Sequence, residues 1–116
     1  MSAPLLERSR PPVSVQDFTR DEIEGFLVQR LRGRVQAAWL FGSVADGSAG
    51  PWSDIDVLLV QDTDTAFPER ALAFTDLFDL GVPVDVLVYT PAEFETLHAS
   101  DSGFWKAFRQ RNRQIL

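Results

Sequence analysis

Three aspartates and one glycine–serine pair are the residues whose types and spacing could do chemistry. Asp54 and Asp56 lie two positions apart at the head of the apolar run Val57-Leu58-Leu59-Val60. In an extended strand such side chains share a face, roughly 6.5–7 Å apart. One cation, or a pair roughly 3.5–4 Å apart, can bridge two carboxylates so placed. Asp85 is the single acid in Pro83-Val84-Asp85-Val86-Leu87-Val88-Tyr89. A carboxylate buried on a strand persists when it is paired, hydrogen-bonded, protonated or metal-bound. Asp-x-Asp alone is common, and a lone strand acid is more often salt-bridged or open to water. Three acids on two potentially adjacent strands favour a shared cation site.

Gly42 and Ser43 directly follow a second apolar run, Val35 to Phe41. Glycine permits close backbone approach, free amides at a helix start favour an anion, and a serine hydroxyl can donate to a phosphate oxygen. An ordinary turn is the usual fate of a lone Gly-Ser. The segment lacks the Gly-Lys-Ser/Thr of a Walker loop and is not a Gly-x-Gly-x-x-Gly fingerprint.

The elements around these residues can be read from periodicity. Thr19 and Glu22 have capping-box spacing, and Ile23, Phe26, Leu27, Arg30 and Leu31 form a helical stripe that Gly33 ends. Val35–Phe41 and Asp54–Val60 read as strands joined by a tight Gly/Ser/Ala loop with room for one helical turn. A helix is expected over Phe67–Leu80, with Ala71, Leu72, Phe74, Leu77 and Phe78 on one face and Gly81 closing it. A third strand follows over Pro83–Tyr89, then a helix capped by Thr90, with Pro91 and Glu93 in its first turn. A last helix spans Ser102 to about Arg111.

The short first connection makes the first two strands antiparallel neighbours, and the helical crossover allows a parallel third. The expected fold is therefore α/β (α+β), a small mixed sheet flanked by helices. Residues 1–18, with Pro11, Pro12, Arg8 and Arg10, read as a loosely ordered arm, and 19–116 as a single domain.

Composition narrows the chemistry. The chain has 116 residues, no cysteine and a single histidine, so thiolate chemistry is excluded and a multi-imidazole zinc site is disfavoured. A metal here would be held by oxygen, which favours Mg²⁺ or Mn²⁺. The net charge of −6 argues against broad binding to nucleic acid. Met1 to Pro12 has no long apolar run, so neither a signal peptide nor a membrane span is read there, and the expected location is cytoplasmic. Trp39, Trp52 and Trp105 read as packing residues, with Trp52 the least certain, and His98 as a surface residue. The basic run Lys106, Arg109, Arg111 and Arg113 reads as a solvated helix face, with contact to an acidic partner or to a triphosphate as the alternatives.

Taken together, Gly42-Ser43, Gly47 and Ser53-Asp54-Ile55-Asp56 resemble the Gly-Ser-x-x-x-Gly-x5-Ser-Asp-x-Asp signature of the DNA polymerase β-like nucleotidyltransferase superfamily. Within it, the chain looks most like the minimal nucleotidyltransferases. Asp85 matches that family's third acid, and Tyr89 to Glu95 and Gly103-Phe104-Trp105 are similar to its tail, so the likeness covers roughly residues 20 to 116. The resemblance implies that Asp54, Asp56 and Asp85 ligate Mg²⁺ (or Mn²⁺). Gly42, Ser43 and Ser53 would bind a nucleoside triphosphate, by the same likeness ATP. The implied reaction is in-line attack of an acceptor oxygen on the α-phosphorus, with pyrophosphate leaving.

Many relatives read Gly-Ser-Arg-Ala-Arg-Gly in the first motif, whereas Val44 and Asp46 occupy the arginine positions here. Fewer cations and one more anion would weaken triphosphate binding. That departure sustains an alternative reading, a module of this fold that binds a partner protein without catalysis. Minimal nucleotidyltransferases are commonly paired with a HEPN-type toxin, which some neutralise by adding AMP to a tyrosine. The resemblance thus implies an antitoxin with a HEPN partner, in an assembly of undetermined copy number. A sugar-nucleotide transferase would need a larger chain. A haloacid dehalogenase-like phosphatase is a poor match, because Asp56 is followed by Val-Leu-Leu and not Gly-Thr.

Overall fold

The first helix begins where its capping residues place it. The Glu22 N–H donates to Thr19 Oγ1 (3.1 Å) and the Thr19 N–H donates to Glu22 Oε1 (2.9 Å), satisfying donors that a helix start otherwise leaves open. Helix α1 runs over Arg20–Leu31 and buries Ile23, Leu27 and Leu31.

The computed structural model describes residues 10–116. After α1 come β1 (Ala37–Phe41), α2 (Gly42–Asp46), β2 (Ile55–Val60), α3 (Phe67–Arg70) and a 3-10 run (Ala71–Leu80). Then follow β3 (Val84–Tyr89), α4 (Pro91–Leu97), α5 (Gly103–Gln110) and β4 (Asn112–Gln114).

The strands form one sheet in the order β3-β2-β1-β4. Strands β1 and β2 are antiparallel, with Phe41 opposite Asp56, and β2 and β3 are parallel, with Asp56 beside Asp85. This is the small mixed sheet flanked by helices that the spacing implied. The edge strand β4, antiparallel to β1, was not expected. Its residues Asn112-Arg113-Gln114 are polar and exposed, so no apolar alternation marks them as a strand.

Alternation along the strands divides the core into two faces. Leu40 of β1, Val57 and Leu59 of β2, and Val84 and Val88 of β3 pack with Ile23, Leu27, Phe74 and Leu77. Leu58 and Val60 point to the opposite face, where Trp105 and Phe108 of α5 cover them and Trp39 and Phe94 pack alongside. Strand β2 is covered on both sides, which is why it ends as an unbroken apolar run.

The segment expected as one α-helix over Phe67–Leu80 is instead a single α-turn followed by 3-10 geometry, with a kink at Phe74 (φ −120°, ψ 25°). Under a three-residue period Phe74 and Leu77 fall together on the buried side, while Leu72 and Phe78 are turned out to solvent. The expected apolar face is corrected accordingly.

Of the expected arm, residues 1–9 lie outside the described residues. Within the rest, Ser14 caps a 3-10 turn over Val15–Asp17, and Ser14 and Val15 are buried. Packing therefore takes in residues ahead of Thr19. No helix among the described residues is long and apolar enough to cross a membrane.

Candidate metal and nucleotide site

Parity along the strands puts Asp54 and Asp56 on the same face as Leu58 and Val60, and Asp85 on that face of β3. At the leading ends of β2 and β3 this face opens toward solvent, with Asp54 and Asp85 exposed and Asp56 half-buried. Asp54, Asp56 and Asp85 each offer a carboxylate oxygen, all within 4.8 Å of one another. Side chains two apart on one strand and side by side on its parallel neighbour are thus brought to one point.

Asp56 bears the electrostatic consequence. Burial first, then the negative charge of Asp54, a hydrogen bond shared with Asp54, and the charge of Asp85 push its carboxyl up to about 7, with Arg111 opposing. Crowded carboxylates of this kind favour either a proton or a cation between them. Oxygen-only donors at such separations suit a hard divalent ion such as Mg²⁺ or Mn²⁺.

Gly42 closes the other side of the cluster. Strand pairing sets Phe41 against Asp56, so the next residue passes directly over the carboxylate. Gly42 has φ +74°, and a Cβ there would stand 2.5 Å from Asp56 Oδ2. Both the backbone angle and the space require glycine. Its N–H donates to the Arg111 carbonyl (3.0 Å). Ser43 follows in the first turn of α2, half-buried, and Gly47 ends that helix in the left-handed region. Ser53 lies in the loop, where its Oγ accepts from the Gly50 N–H (2.9 Å) and shapes the approach to Asp54.

Residues 20–112 match the family described as the nucleotidyltransferase domain. The chain belongs to that family. The match includes the Gly-Ser turn and all three acids, so the likeness and the geometry concern the same residues. Among solved structures, the nucleotidyltransferase fold recurs in a chain of a toxin–antitoxin complex with AMP-PNP, at 21% identity and TM-score 0.59, covering 80% of this chain and 72% of that one. It recurs in a complex of tri-AMPylated Shewanella oneidensis HEPN toxin with MNT antitoxin, at 18% identity and TM-score 0.55, covering 84% of this chain and 71% of that one. A chain of the toxin–antitoxin MntA–HepT matches at 18% identity and TM-score 0.53, covering 83% of this chain and 71% of that one. No curated protein matches the chain.

The basic run does not form the single helix face expected of it. Arg109 lies in α5 and donates to the His98 and Ser100 carbonyls (both 2.8 Å). Arg111 caps the end of α5, and Arg113 lies in β4, paired with Glu24. Arg111 bonds to Asp46 through Nε and to Ser48 Oγ through Nη2 (3.2 Å). That placement depends on β4 pairing with β1, which no local sequence pattern announces. Trp52 is exposed in the loop beside the acids, whereas Trp105 is buried, Trp39 stacks on Phe94, and His98 is exposed.

Proposed function

We propose that this nucleotidyltransferase-family protein moves a nucleoside monophosphate, AMP from ATP, onto a hydroxyl of a HEPN-type partner protein, and acts as its antitoxin. The observation that carries the reading is the convergence of three carboxylates from two strands against a Gly-Ser turn. Solved relatives in complexes with AMP-PNP and with an AMPylated HEPN toxin support the choice of nucleotide and acceptor.

In this reading Asp54, Asp56 and Asp85 hold Mg²⁺ or Mn²⁺, which when bound neutralises charge on the attacking and leaving oxygens. Gly42 lets a phosphate approach the backbone closely, and the Ser43 hydroxyl donates to a phosphate oxygen. Ser53 keeps the loop leading to Asp54 in place. Asp85, exposed at the rim, takes the proton of the acceptor hydroxyl as its oxygen bonds the α-phosphorus. The bond from that phosphorus to the bridging oxygen breaks and pyrophosphate leaves.

A second reading, docking without transfer, is favoured by one observation: Asp46 places an anion in the turn that would face the phosphates. Incubating the full chain with α-phosphate-labelled ATP, Mg²⁺ and a candidate HEPN-type partner protein separates the two. Label on the partner, absent with Asp54→Ala plus Asp56→Ala, is the expected result. A stable complex that carries no label would establish docking alone, and neither label nor complex would overturn both.

A further inference from the structure

Carboxylates outnumber cations among the charged groups gathered at this site. Asp46 joins the three site acids, and the turn from Gly42 to Asp46 contains no basic residue. Two arginines reach the turn from elsewhere. Arg20 donates to the Ala45 carbonyl (3.0 Å), but it lines a cavity with Val15, Phe18 and Ile23 on the α1 side. Arg111 arrives from the opposite end of the chain on the side of the acids, and its charge is felt at Asp56.

Arg111 is also fixed in place. Its carbonyl accepts the Gly42 N–H, its Nε is held by Asp46, and its Nη2 donates to Ser48 Oγ. Asp46 is itself held by the Ser48 N–H (2.9 Å) and hydroxyl (2.6 Å). Among the described residues Nη1 donates to nothing, so one end of the guanidinium fork is open while the other is anchored. An anchored fork suits a phosphate oxygen better than a free side chain does, because less freedom is lost on binding.

We propose that Arg111 is a phosphate-binding residue of the nucleotide site, aimed by Asp46 and Ser48, and that it supplies the positive charge the Gly-Ser turn lacks. The inference rests on the nucleotidyltransferase reading above. It gives Asp46 a role as a positioning residue.

The test titrates the full chain with Mn²⁺ alone, and then with a non-hydrolysable ATP analogue in the presence of Mn²⁺. Wild type is compared with Arg111→Ala, Arg111→Lys and Asp46→Ala, the fold of each being checked by thermal unfolding. Arg111→Ala keeps the carbonyl that holds Gly42. It is expected to weaken the analogue about tenfold, while Mn²⁺ alone binds as well as before or more tightly, since a nearby positive charge has gone. Arg111→Lys should recover part of the loss, and Asp46→Ala should weaken the analogue by less than Arg111→Ala does, because it frees the guanidinium without removing its charge.

A merely structural Arg111 would weaken metal and analogue together, and that result overturns the proposal. So does unchanged analogue binding in Arg111→Ala when wild type binds normally, which leaves the nucleotidyltransferase reading standing. Failure of wild type to bind any analogue overturns that reading and this inference with it.

Discussion

Asp56 carries a load that its neighbours create, and its titration makes that load measurable. Its folded-state carboxyl titrates near 7 against an ordinary value of 3.8, so between these the folded chain keeps a proton that the unfolded chain has lost. The associated stability is full below about pH 4 and is lost as pH rises through about 7. Metal-free protein should therefore melt at a lower temperature at pH 8 than at pH 5.5. Asp56→Asn should flatten that slope and raise the melting temperature at pH 8 by about 3–5 °C, for ~1 kcal/mol after solvent screening of a half-exposed group. Mn²⁺ at pH 8 should stabilise wild type and leave Asp56→Asn unmoved. Identical profiles for the two proteins would show that the acids do not repel. Gly42→Ala tests the same contact from the other side: positive φ and a methyl 2.5 Å from Asp56 Oδ2 should cost about 1–3 kcal/mol in denaturant unfolding. Asp54 and Asp56 were legible as a pair because parity along one strand is a local property, whereas Asp85 joins them only through the parallel pairing of β2 with β3. The bond from Arg111 to Asp46 was not, since it spans 65 positions.

At the level of elements, capping and alternation were readable, whereas helix type and a polar edge strand were not. Thr90 and Glu93 begin α4 as their spacing indicated, and the same Glu93 also pairs with Arg70 (2.6 Å), whose guanidinium donates to the Val88 carbonyl of β3 (3.1 Å). One carboxylate therefore joins α3, β3 and α4. The period that distinguishes a 3-10 run from an α-helix is masked between Ala71 and Leu80, because apolar residues occur at both spacings. Glu93 is held down to about 2, chiefly by its hydrogen bond from Arg70 and then by the Thr90 N–H. Its contribution is present above the unfolded carboxyl value of 4.5 and is lost as pH falls through about 2. Glu93→Ala should cost about 2–3 kcal/mol, because Arg70 is buried and would lose its partner. The wild-type advantage over Glu93→Ala should shrink between about pH 4.5 and 2 in urea titrations. An advantage constant across that range would locate the effect in packing instead of charge.

Across the whole molecule, the site depends on segments at both ends of the chain. Strand β4 brings Arg111 to the turn, and the segment ahead of α1 braces the loop between the turn and Asp54. Ser14 Oγ donates to the Pro51 carbonyl (2.8 Å) while accepting from the Gln16 N–H (3.1 Å), and Gln16 Nε2 donates to the Ala49 carbonyl (3.0 Å). Loops linking metal ligands need such support, since a displacement of an ångström at a site is costly. Removing residues 1–18 deletes these bonds and the buried Val15 together. The shortened chain should melt at a lower temperature and bind Mn²⁺ more weakly than the full chain. Ser14→Ala should reproduce part of the effect, at about 1–2 kcal/mol for a buried hydroxyl that both caps a turn and donates to the loop. The two variants divide the outcome. Reduced stability with unchanged Mn²⁺ affinity would make the segment a covering for the core alone. If neither quantity changes, residues 19–116 form a self-sufficient domain and the loop holds itself.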